Sequence, residues 1–549
     1  MMGIKQRVFE PLPNISLEEL VPKDNFYRRL EATIDLSFVR DLVKDCYVSS
    51  GRPSVDPVVF FRLQLVMFFE DIRSERQLME VAADRLSIRW YLGYDLSEPL
   101  PDHSSLTRIR ERYGVEIFRH FFEGIVQMCV EAGLVWGKEL YFDATKIEAN
   151  ASLDSMRSRS LVENRFEEHL AEIFPQRGVR PAEVESMREI SAVGPAGSDR
   201  DTLDHINAGR HRWIASSGRQ QREVVRWGYR RMADLRMSAT DRDASPMHHK
   251  NKGAARLGYL THYVVDGGKA RIILDALVTP AEVTENLPML ELLFRSRFRW
   301  RLRPRSVTGD AAYGTVENVV AVEKAGIHAY MALPKHDERG PLLGKDEFAY
   351  DAEKDVYICP QGEPLHRKGH DYRERSIRYA AKPSVCNPCP LKSRCTTSKK
   401  GRWIRRSFDE EYLERVRSYG DTEAYRKALR KRAVWVEPLF AEAKDWHGLR
   451  RFRLRHLEKV NTEALLTAAG QNVKRLVAGR DRDPRHFAQA AALRPTTSGG
   501  RSGRQFRSRH LVSHRACKRF STRWCVLGSR VCSRGSAAKT ARSGVARDA

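Results

Sequence analysis

The segment KELYFDATKIEANA, residues 138–151, marks the change from a helical sequence to a strand-like one. Its apolar run, residues 140–142, predicts a short buried strand that we expect to end at Asp143. Reactive side chains in open α/β sheets collect at the carboxyl ends of strands. Asp143 is therefore a candidate functional residue, although a lone Asp at a strand end is more often a cap or turn residue.

The sequence after this segment alternates between strand-like and helical runs. Residues 258–266 (GYLTHYVVD) and 271–279 (RIILDALVT) are joined by Gly267 and Gly268, which predicts an antiparallel hairpin. There follow a helix starting at Thr284, a strand ending at Asp310, a helix in 315–326 and a strand in 327–334. Strands connected by helices are usually parallel. The order predicts an α/β fold with a mixed sheet flanked by helices.

Residues 1–135 show helical periodicity, and we predict a helical N-terminal domain there, for which DNA binding is the candidate function. The turn-rich break DLSEPLPDHSSL contains Asp102 and Ser104, either of which could cap the next helix. That helix opens with three arginines, Arg108, Arg110 and Arg112. They suit a helix-turn-helix contact with DNA, and they suit a solvated helix face equally well, so both interpretations stay open.

We divide the rest of the chain into a sheet-containing domain, residues 136–480, and a tail, residues 481–549. Two insertions interrupt the domain, at 151–255 and at 340–405. The first is polar and Arg-rich, and we expect it to be helical or loop-like. The tail is rich in Ser, Arg, Gly and Ala without periodicity, and we expect it to be disordered.

The chain of 549 residues has a formal net charge of +25. Residues 494–549 hold 14 Lys and Arg and one acidic residue, a net charge of +13, so the rest of the chain carries +12. A basic balance in both parts favours a polyanionic partner, above all nucleic acid. No apolar stretch reaches the roughly 20 residues of a membrane helix, and the N-terminus lacks the apolar core of a signal peptide. We expect a cytoplasmic protein without membrane contact.

Two further carboxylates stand at informative positions. Asp310 closes a strand, and Glu437 lies in a long helical region that could pack over the same sheet edge. Phosphoryl transfer on DNA uses divalent cations, and Mg²⁺ prefers carboxylate, water and phosphate oxygens. Asp143, Asp310 and Glu437 fit this requirement, but spacing alone does not select them from 71 acidic residues.

Several sequence blocks, in order, resemble one family of enzymes. They begin with PSVDPVVFFRLQLVMFFEDIRSERQLMEVAADRLSIRWYLGYDLSEPLPDHSSLTRIRERYG and continue with YFDATKIEANAS, SATDRDASPMHHKNKGAARLGYLTHYVVD, VTGDAAYGTVEN, YICPQGEPL, CNPCPLKSRCT and VEPLFAEAKDWHGLRRFRLR. Over about residues 8–480 the chain resembles the DDE transposases of bacterial insertion sequences.

The resemblance implies an RNase H-like catalytic domain in which Asp143, Asp310 and Glu437 bind Mg²⁺ or Mn²⁺. A metal-activated water would cut DNA at the ends of the element, and the freed 3′-hydroxyl would attack target DNA. The implied partners are double-stranded DNA, as terminal repeats and as target, and further copies of the chain in a homodimer or larger synaptic complex. The implied location is the nucleoid in the cytoplasm.

Lys444 lies seven residues after Glu437 and thus on the same helix face. It matches the Glu-x6-Lys element of related transposases, which implies that it holds a DNA phosphate; a solvated surface Lys is the alternative. The related Arg, four residues before the Glu, is absent. Ala433 stands there, and the nearest Arg, Arg432, is left without a role.

Four cysteines, Cys359, Cys386, Cys389 and Cys395, cluster in the second insertion. Their spacing predicts a structural Zn²⁺ site, with an Fe–S cluster, buried free thiols or a redox pair as alternatives. Few large apolar residues surround them, so a metal would help the insertion to fold. We expect its basic residues to contact DNA, namely Lys392, Arg394, Lys399, Lys400, Arg402, Arg405 and Arg406.

Two rival interpretations remain. One is an RNase H-like nuclease that cuts without joining. The other is a catalytically inactive DNA-binding remnant, favoured by the Arg-rich tail beyond the block AAGQNVKRL and by His456, where the family often has a Gly that can serve a turn. Asp241 and Asp243, in the TDRDA block, recur in the resemblance without a known role.

Overall fold

The computed structural model describes residues 16–47, 54–158, 162, 236–247, 255–333, 342–372 and 375–482. Most of the first predicted insertion and nearly all of the predicted tail lie outside these residues. The prediction that the tail is disordered therefore concerns residues outside this description. Among the helices of the described segments, none has an apolar stretch long enough to cross a membrane.

Helices joined by short loops form the described N-terminal part, as predicted. They are α1 (Leu17–Leu20), α2 (Phe26–Thr33), α3 (Phe38–Val43), α4 (Pro57–Phe69), α5 (Glu75–Asp84), α6 (Leu86–Leu92) and α7 (His103–Glu131), with a 3₁₀ turn at Lys44–Cys46. The predicted cap of α7 is confirmed, because the Asp102 carboxylate accepts a hydrogen bond from the N–H of Ser104 at 2.8 Å. Stacked aromatic rings fill the core between these helices, with the centroids of Phe61 and Phe121 4.2 Å apart.

A mixed sheet follows the helices, as predicted. In chain order, the described strands up to residue 330 are β1 (Glu139–Glu148), β2 (Met156–Ser158), β3 (Arg236–Ser238), β4 (Ser245–Met247), β5 (Arg256–Asp266), β6 (Ile273–Pro280), β7 (Ser306–Thr308) and β8 (His328–Tyr330). The main sheet has the order β4-β5-β1-β7-β8, with β6 also paired to β5, whereas β2 and β3 pair separately. β1 is antiparallel to β5 and parallel to β7, and β7 is parallel to β8. Helices α8 (Met289–Arg299) and α9 (Val316–Lys324) connect β6 to β7 and β7 to β8.

The predicted end of β1 at Asp143 is wrong. The parallel pairing of β1 with β7 stops at Tyr141, but its antiparallel pairing with β5 continues to Glu148. The second half of β1 therefore stays extended, because β5 satisfies its backbone hydrogen bonds. Asp143 consequently lies in the middle of a strand rather than at its end.

Two other boundaries also differ from the prediction. α8 begins at Met289 rather than at Thr284, because Pro288 disfavours helical backbone in the residue before it. β7 ends at Thr308, and Asp310 instead caps the 3₁₀ helix that leads the chain away from the sheet.

The second predicted insertion contains a sheet that the sequence analysis did not predict. Its antiparallel strands, ordered β13-β12-β11-β10-β9, are β9 (Ala349–Asp351), β10 (Val356–Ile358), β11 (Pro364–Asp371), β12 (Ser376–Ala380) and β13 (Trp403–Ser407), with α10 (Pro383–Cys386) and α11 (Lys392–Cys395) before β13. Phe348, Tyr357, Leu365, Tyr379 and Ile404 are buried in a small core on it. The strands are short and lack a sustained alternation, which is the sequence signal for a strand.

Three helices end the described chain: α12 (Glu410–Tyr419), α13 (Glu423–Trp446) and α14 (Leu457–Arg482). α14 packs against both β6 and α7. The Asn472 side chain bonds the backbone N–H and C=O of Ile273 at 2.9 and 2.8 Å, and Asn461 bonds those of Val278 at 2.8 and 3.0 Å. Side-chain amides of α14 thus satisfy backbone groups of β6 that no neighbouring strand pairs.

The TDRDA block has a structural role at the start of α14. Asp241 and Asp243 are buried, and they accept hydrogen bonds from the N–H groups of His456 and Leu457 at 3.0 and 2.7 Å. The Tyr259 hydroxyl also donates to Asp241 at 2.6 Å. These carboxylates cap a helix N-terminus from a distant loop, where negative charge also matches the helix dipole.

Replacement of His456, the residue before α14, tests whether its backbone conformation is strained. His456 has φ +70°, in the left-handed region that favours glycine. We expect His456→Gly to raise the free energy of unfolding by about 1 kcal/mol, because a non-glycine residue is strained there. Urea unfolding followed by circular dichroism measures the change.

Asp241→Asn serves as the comparison, and we expect it to lower stability because the buried cap loses its charge. A fall in stability for His456→Gly would mean that imidazole contacts outweigh the backbone strain, contrary to this account.

Candidate active site

Asp143 and Asp310 come together where the parallel pairing of β1 and β7 ends. That pairing matches Tyr141 with Thr308, and each Asp follows two residues later. Asp143 is buried, and one of its oxygens accepts a hydrogen bond from the N–H of Ala144 at 2.9 Å. Asp310 accepts one from the N–H of Ala312 at 2.8 Å. Two parallel strands in register therefore deliver two carboxylates to one sheet edge.

Glu437 reaches this edge from α13, with Arg432 between it and the sheet. Arg432 Nη1 lies 3.0 Å from Asp143 Oδ2, and its Nη2 lies 3.8 Å from Glu437 Oε1. The Glu437 side chain is 60% exposed, so it faces an open surface. The structure thus brings together all three carboxylates selected from the sequence.

Arg432 is a residue that the sequence analysis set aside. It lies five residues before Glu437 instead of the four seen in related transposases, so the motif did not identify it. The length of the Arg side chain compensates for the shift in helix position, because its guanidinium contacts both Asp143 and Glu437.

A proline breaks the backbone ladder of α13 directly after Glu437. Pro438 has no N–H to donate to the carbonyl of Val434, one turn earlier. Arg271 donates to that carbonyl instead, through Nη1 at 3.4 Å. The helix therefore continues past the carboxylate although one of its own hydrogen bonds is missing.

The electrostatics of Asp143 indicate a site that suits a cation. Burial raises the pKa of Asp143 to about 6; the Arg432 guanidinium opposes this rise, and the charges of Asp310 and Glu437 add to it. A bound cation would favour the ionised carboxylates, so protons compete with it as the pH falls through about 6.

Glu285 is a fourth carboxylate near this edge, and no sequence pattern identified it as a site residue. Burial, together with the charges of Asp310 and Asp143, raises the pKa of Glu285 to about 7. Tyr313 is buried close to these groups. Its burial, and then the negative charges of Asp143, Glu285 and Asp310, hold the pKa of Tyr313 well above the ordinary value. Glu285 was assigned to a helix start, so nothing in the sequence related it to the strand ends.

Lys444 lies beside the same strand. Its Nζ is 2.5 Å from the hydroxyl oxygen of Thr145, which follows Asp143 by two residues on β1. Residues two apart on a strand share a face. The cation predicted to hold a phosphate is thus close to the carboxylates.

The three arginines of α7 differ in their surroundings. Arg110 is buried and bonds the buried Glu75, so its interpretation as a DNA contact or a solvated residue is wrong. This ion pair joins α5 to α7, and exposing either charge alone would be costly. Arg108 and Arg112 are exposed, so both keep open the two interpretations given to them.

The four cysteines surround one end of the insertion sheet. Burial raises the pKa of Cys395, and the other three cysteines contribute to that rise. The Cys386 sulfur accepts a hydrogen bond from the N–H of Arg402 at 3.3 Å. Within the described residues, however, their sulfurs do not form a group of three mutually within 4.8 Å.

Three of the basic residues expected to contact DNA in the insertion are bound internally. The Lys392 ammonium group donates to the side-chain oxygen of Asn387 at 2.9 Å and to the carbonyl of Ser398. Arg402 donates to the backbone carbonyls of Cys395 and Leu343 at 3.0 and 2.8 Å. Arg406 lies 3.8 Å from the ring centroid of Tyr350. These three expectations are wrong because the cationic groups of Lys392, Arg402 and Arg406 bind within the insertion and hold it together. Arg394, Lys399, Lys400 and Arg405 are exposed.

Asp241, Asp243 and His456 form another group with metal-ligand chemistry. One possible ligand atom of each lies within 4.8 Å of the others, which in the described residues holds for this group and not for Asp143, Asp310 and Glu437. The N–H groups of α14 already bind both aspartates, and the positive end of a helix dipole disfavours a cation. We therefore assign this group to helix capping.

Comparison with known families gives two matches. Residues 15–112 match the family model described as a transposase domain (DUF772), and residues 358–477 match the transposase DDE domain. The second match includes Glu437 and Lys444. Neither the curated proteins nor the solved structures that were compared gave a match. The chain therefore carries a transposase domain in its N-terminal part and a DDE transposase domain in its C-terminal part, consistent with a DDE transposase of an insertion sequence.

Proposed function

We propose that this transposase cuts DNA at the terminal repeats of its element and joins the freed 3′-hydroxyl to target DNA. The meeting of Asp143, Asp310 and Glu437 at one sheet edge carries the proposal. The mixed sheet with its crossover helices supports the RNase H-like fold implied by the resemblance.

The residues at this edge fit Mg²⁺ or Mn²⁺, because they offer hard carboxylate oxygens. Such ions supply activation of the attacking oxygen and stabilisation of the leaving oxygen. Asp143, Asp310 and Glu437 would hold them, and the Arg432 guanidinium offsets part of the negative charge of Asp143 and Glu437. Lys444 binds a DNA phosphate next to the carboxylates.

DNA contacts outside this edge are proposed from exposed basic residues. Arg108 and Arg112 project from α7 in the N-terminal transposase domain, where terminal repeats would bind. Cutting and joining two ends at once requires two sites, so we propose a homodimer or larger synaptic complex.

Cleavage and strand transfer by a Glu437→Gln variant test the mechanism. With labelled element-end DNA and Mg²⁺, we expect the variant to cut at least about 100-fold more slowly than the unaltered protein, because a metal ligand is lost. DNA binding should persist. Glu423→Gln, an exposed change on the same helix, is the control and should keep full activity.

The outcomes separate the rival functions. Cleavage without joining would support a nuclease, and DNA binding without cleavage by the unaltered protein would support an inactive remnant. Full activity of Glu437→Gln would contradict the three-carboxylate mechanism.

The role of Lys444 is tested through the salt dependence of DNA binding. We expect Lys444→Ala to weaken binding and to reduce the slope of log K against log salt by about one, as for a lost phosphate contact. Fluorescence anisotropy over a range of KCl concentrations measures both. Lys427→Ala, exposed on the same helix, should leave the slope unchanged; an unchanged slope for Lys444→Ala would assign that residue a structural role through Thr145.

We also propose that Cys359, Cys386, Cys389 and Cys395 bind one structural Zn²⁺. Their placement around one end of the insertion sheet supports this, as does the backbone N–H that donates to the Cys386 sulfur.

Elemental analysis of the purified protein tests the zinc proposal. We expect about one zinc per chain, lost in Cys389→Ser and retained in Cys46→Ser, whose cysteine lies in the N-terminal helices. Iron with visible absorbance would indicate an Fe–S cluster, and an absence of metal would leave free thiols.

A further inference from the structure

We propose that Glu285 is a fourth acidic residue of the active site and helps to bind the divalent cation. The proposal rests on the proposed function of Asp143, Asp310 and Glu437 and adds a ligand that neither the motif nor the family matches assign. Glu285 lies outside both matched segments, 15–112 and 358–477.

The sheet register directs the Glu285 segment toward these carboxylates. β6 ends at Pro280, which pairs with Tyr259 of β5, and Tyr259 pairs with Ile147 in the second half of β1. The chain therefore leaves β6 at the end of the sheet toward which β1 runs beyond Asp143. Before α8 it makes tight turns, with the N–H of Leu287 bonded to the carbonyl of Thr284 at 3.1 Å.

One buried side chain fastens this segment to the Asp310 loop. Asn318, on α9, donates to the carbonyl of Asn286 at 3.0 Å and to that of Tyr313 at 3.2 Å. Asn286 directly follows Glu285, and Tyr313 lies three residues after Asp310. A single amide thus fixes the spacing between the two carboxylate-bearing segments.

The position of the Glu285 carboxylate is energetically unfavourable, and no contact with the described residues compensates for it. Half-buried, it makes no hydrogen bond or ion pair within the described residues, while the charges of Asp310 and Asp143 act on it. Burying a carboxylate against like charges destabilises a fold unless a cation compensates. Lys146 and Arg432 oppose this repulsion only through longer-range attraction.

Divalent cations account for this arrangement. Four carboxylates at one edge, opposed in part by the Arg432 guanidinium, leave an excess of negative charge that divalent cations would balance. Oxygen donors from separate segments, positioned by the backbone hydrogen bond to Asp310 and by Asn318, would supply carboxylate ligands to such ions.

Mn²⁺ binding to the full-length protein tests the role of Glu285 without relying on catalysis. Electron paramagnetic resonance of free Mn²⁺ gives the dissociation constant for the unaltered protein, for Glu285→Gln and for the control Glu317→Gln. Glu317 is exposed at the start of α9, close to the Asp310 loop in sequence. We expect Glu285→Gln to bind Mn²⁺ about 10-fold more weakly and Glu317→Gln to bind it normally.

Two further measurements separate ligation from loss of structure. Metal-free Glu285→Gln should melt no lower than the unaltered protein, because a repelled carboxylate is removed, and Mn²⁺ should raise its melting temperature less. If Glu285→Gln does not fold, Glu285→Asp replaces it, with the same weakening expected. In cleavage assays Glu285→Gln should need about 10-fold more Mg²⁺ for half-maximal rate, whereas Glu437→Gln should stay at least about 100-fold slower than the unaltered protein at every Mg²⁺ concentration.

The outcomes distinguish this proposal from the proposed function. Equal Mn²⁺ affinity in Glu285→Gln and the unaltered protein overturns the role of Glu285, as does an unaltered protein that binds no Mn²⁺. Weakened Mn²⁺ binding in a protein that neither cuts nor joins DNA supports Glu285 as a ligand and overturns the transposition mechanism instead.

Discussion

The rest of the structure depends on the hydrogen bonds that two side-chain amides of α14 form with the backbone of β6. Asn461 and Asn472 are 11 residues apart on α14, a rise of about 16 Å along a helix, and Val278 and Ile273 are five residues apart, about 16 Å along a strand. The two contact points are therefore equally far apart on the helix and on the strand, and this match fixes the position of α14 along the direction of β6. Because α14 also packs on α7, this alignment ties the N-terminal helices to the sheet that carries Asp143.

The position of the carboxylates follows from the change in partner along β1. Its first half pairs in parallel with β7 and brings Asp143 beside Asp310, while its second half pairs with β5 on one side and, at Glu148, with Arg451 on the other. Between Tyr141 and Glu148 no described strand pairs with this other side of β1, and Lys444 approaches there through Thr145. An edge that is backed by a continuous strand and open on one side gives rigid ligands together with access for a large substrate such as DNA.

The sequence predicted much of the fold because its main elements follow strong patterns. The β5–β6 hairpin, α9 and the Asp102 cap of α7 depend on local signals and are confirmed. The length of β1 depends on β5, more than a hundred residues away, and no local signal shows it. Arg110 is paired through the fold with Glu75, so its exposure could not be inferred from helix position. Arg432 and Glu285 enter the candidate site through tertiary geometry, and neither stands at a spacing that the motif prescribes.

The edges of the main sheet have a consequence for how copies of this chain assemble. A long free edge strand can recruit a strand from another molecule and lead to open-ended polymers. Here β6 is covered by α14, and β4 and β8, which end the strand order, are each only three residues long. In the described part of the chain, continuation of the sheet between molecules is therefore blocked on both sides. Under the proposed function, copies that meet on DNA would then contact each other through helices and loops rather than through added strands of this sheet.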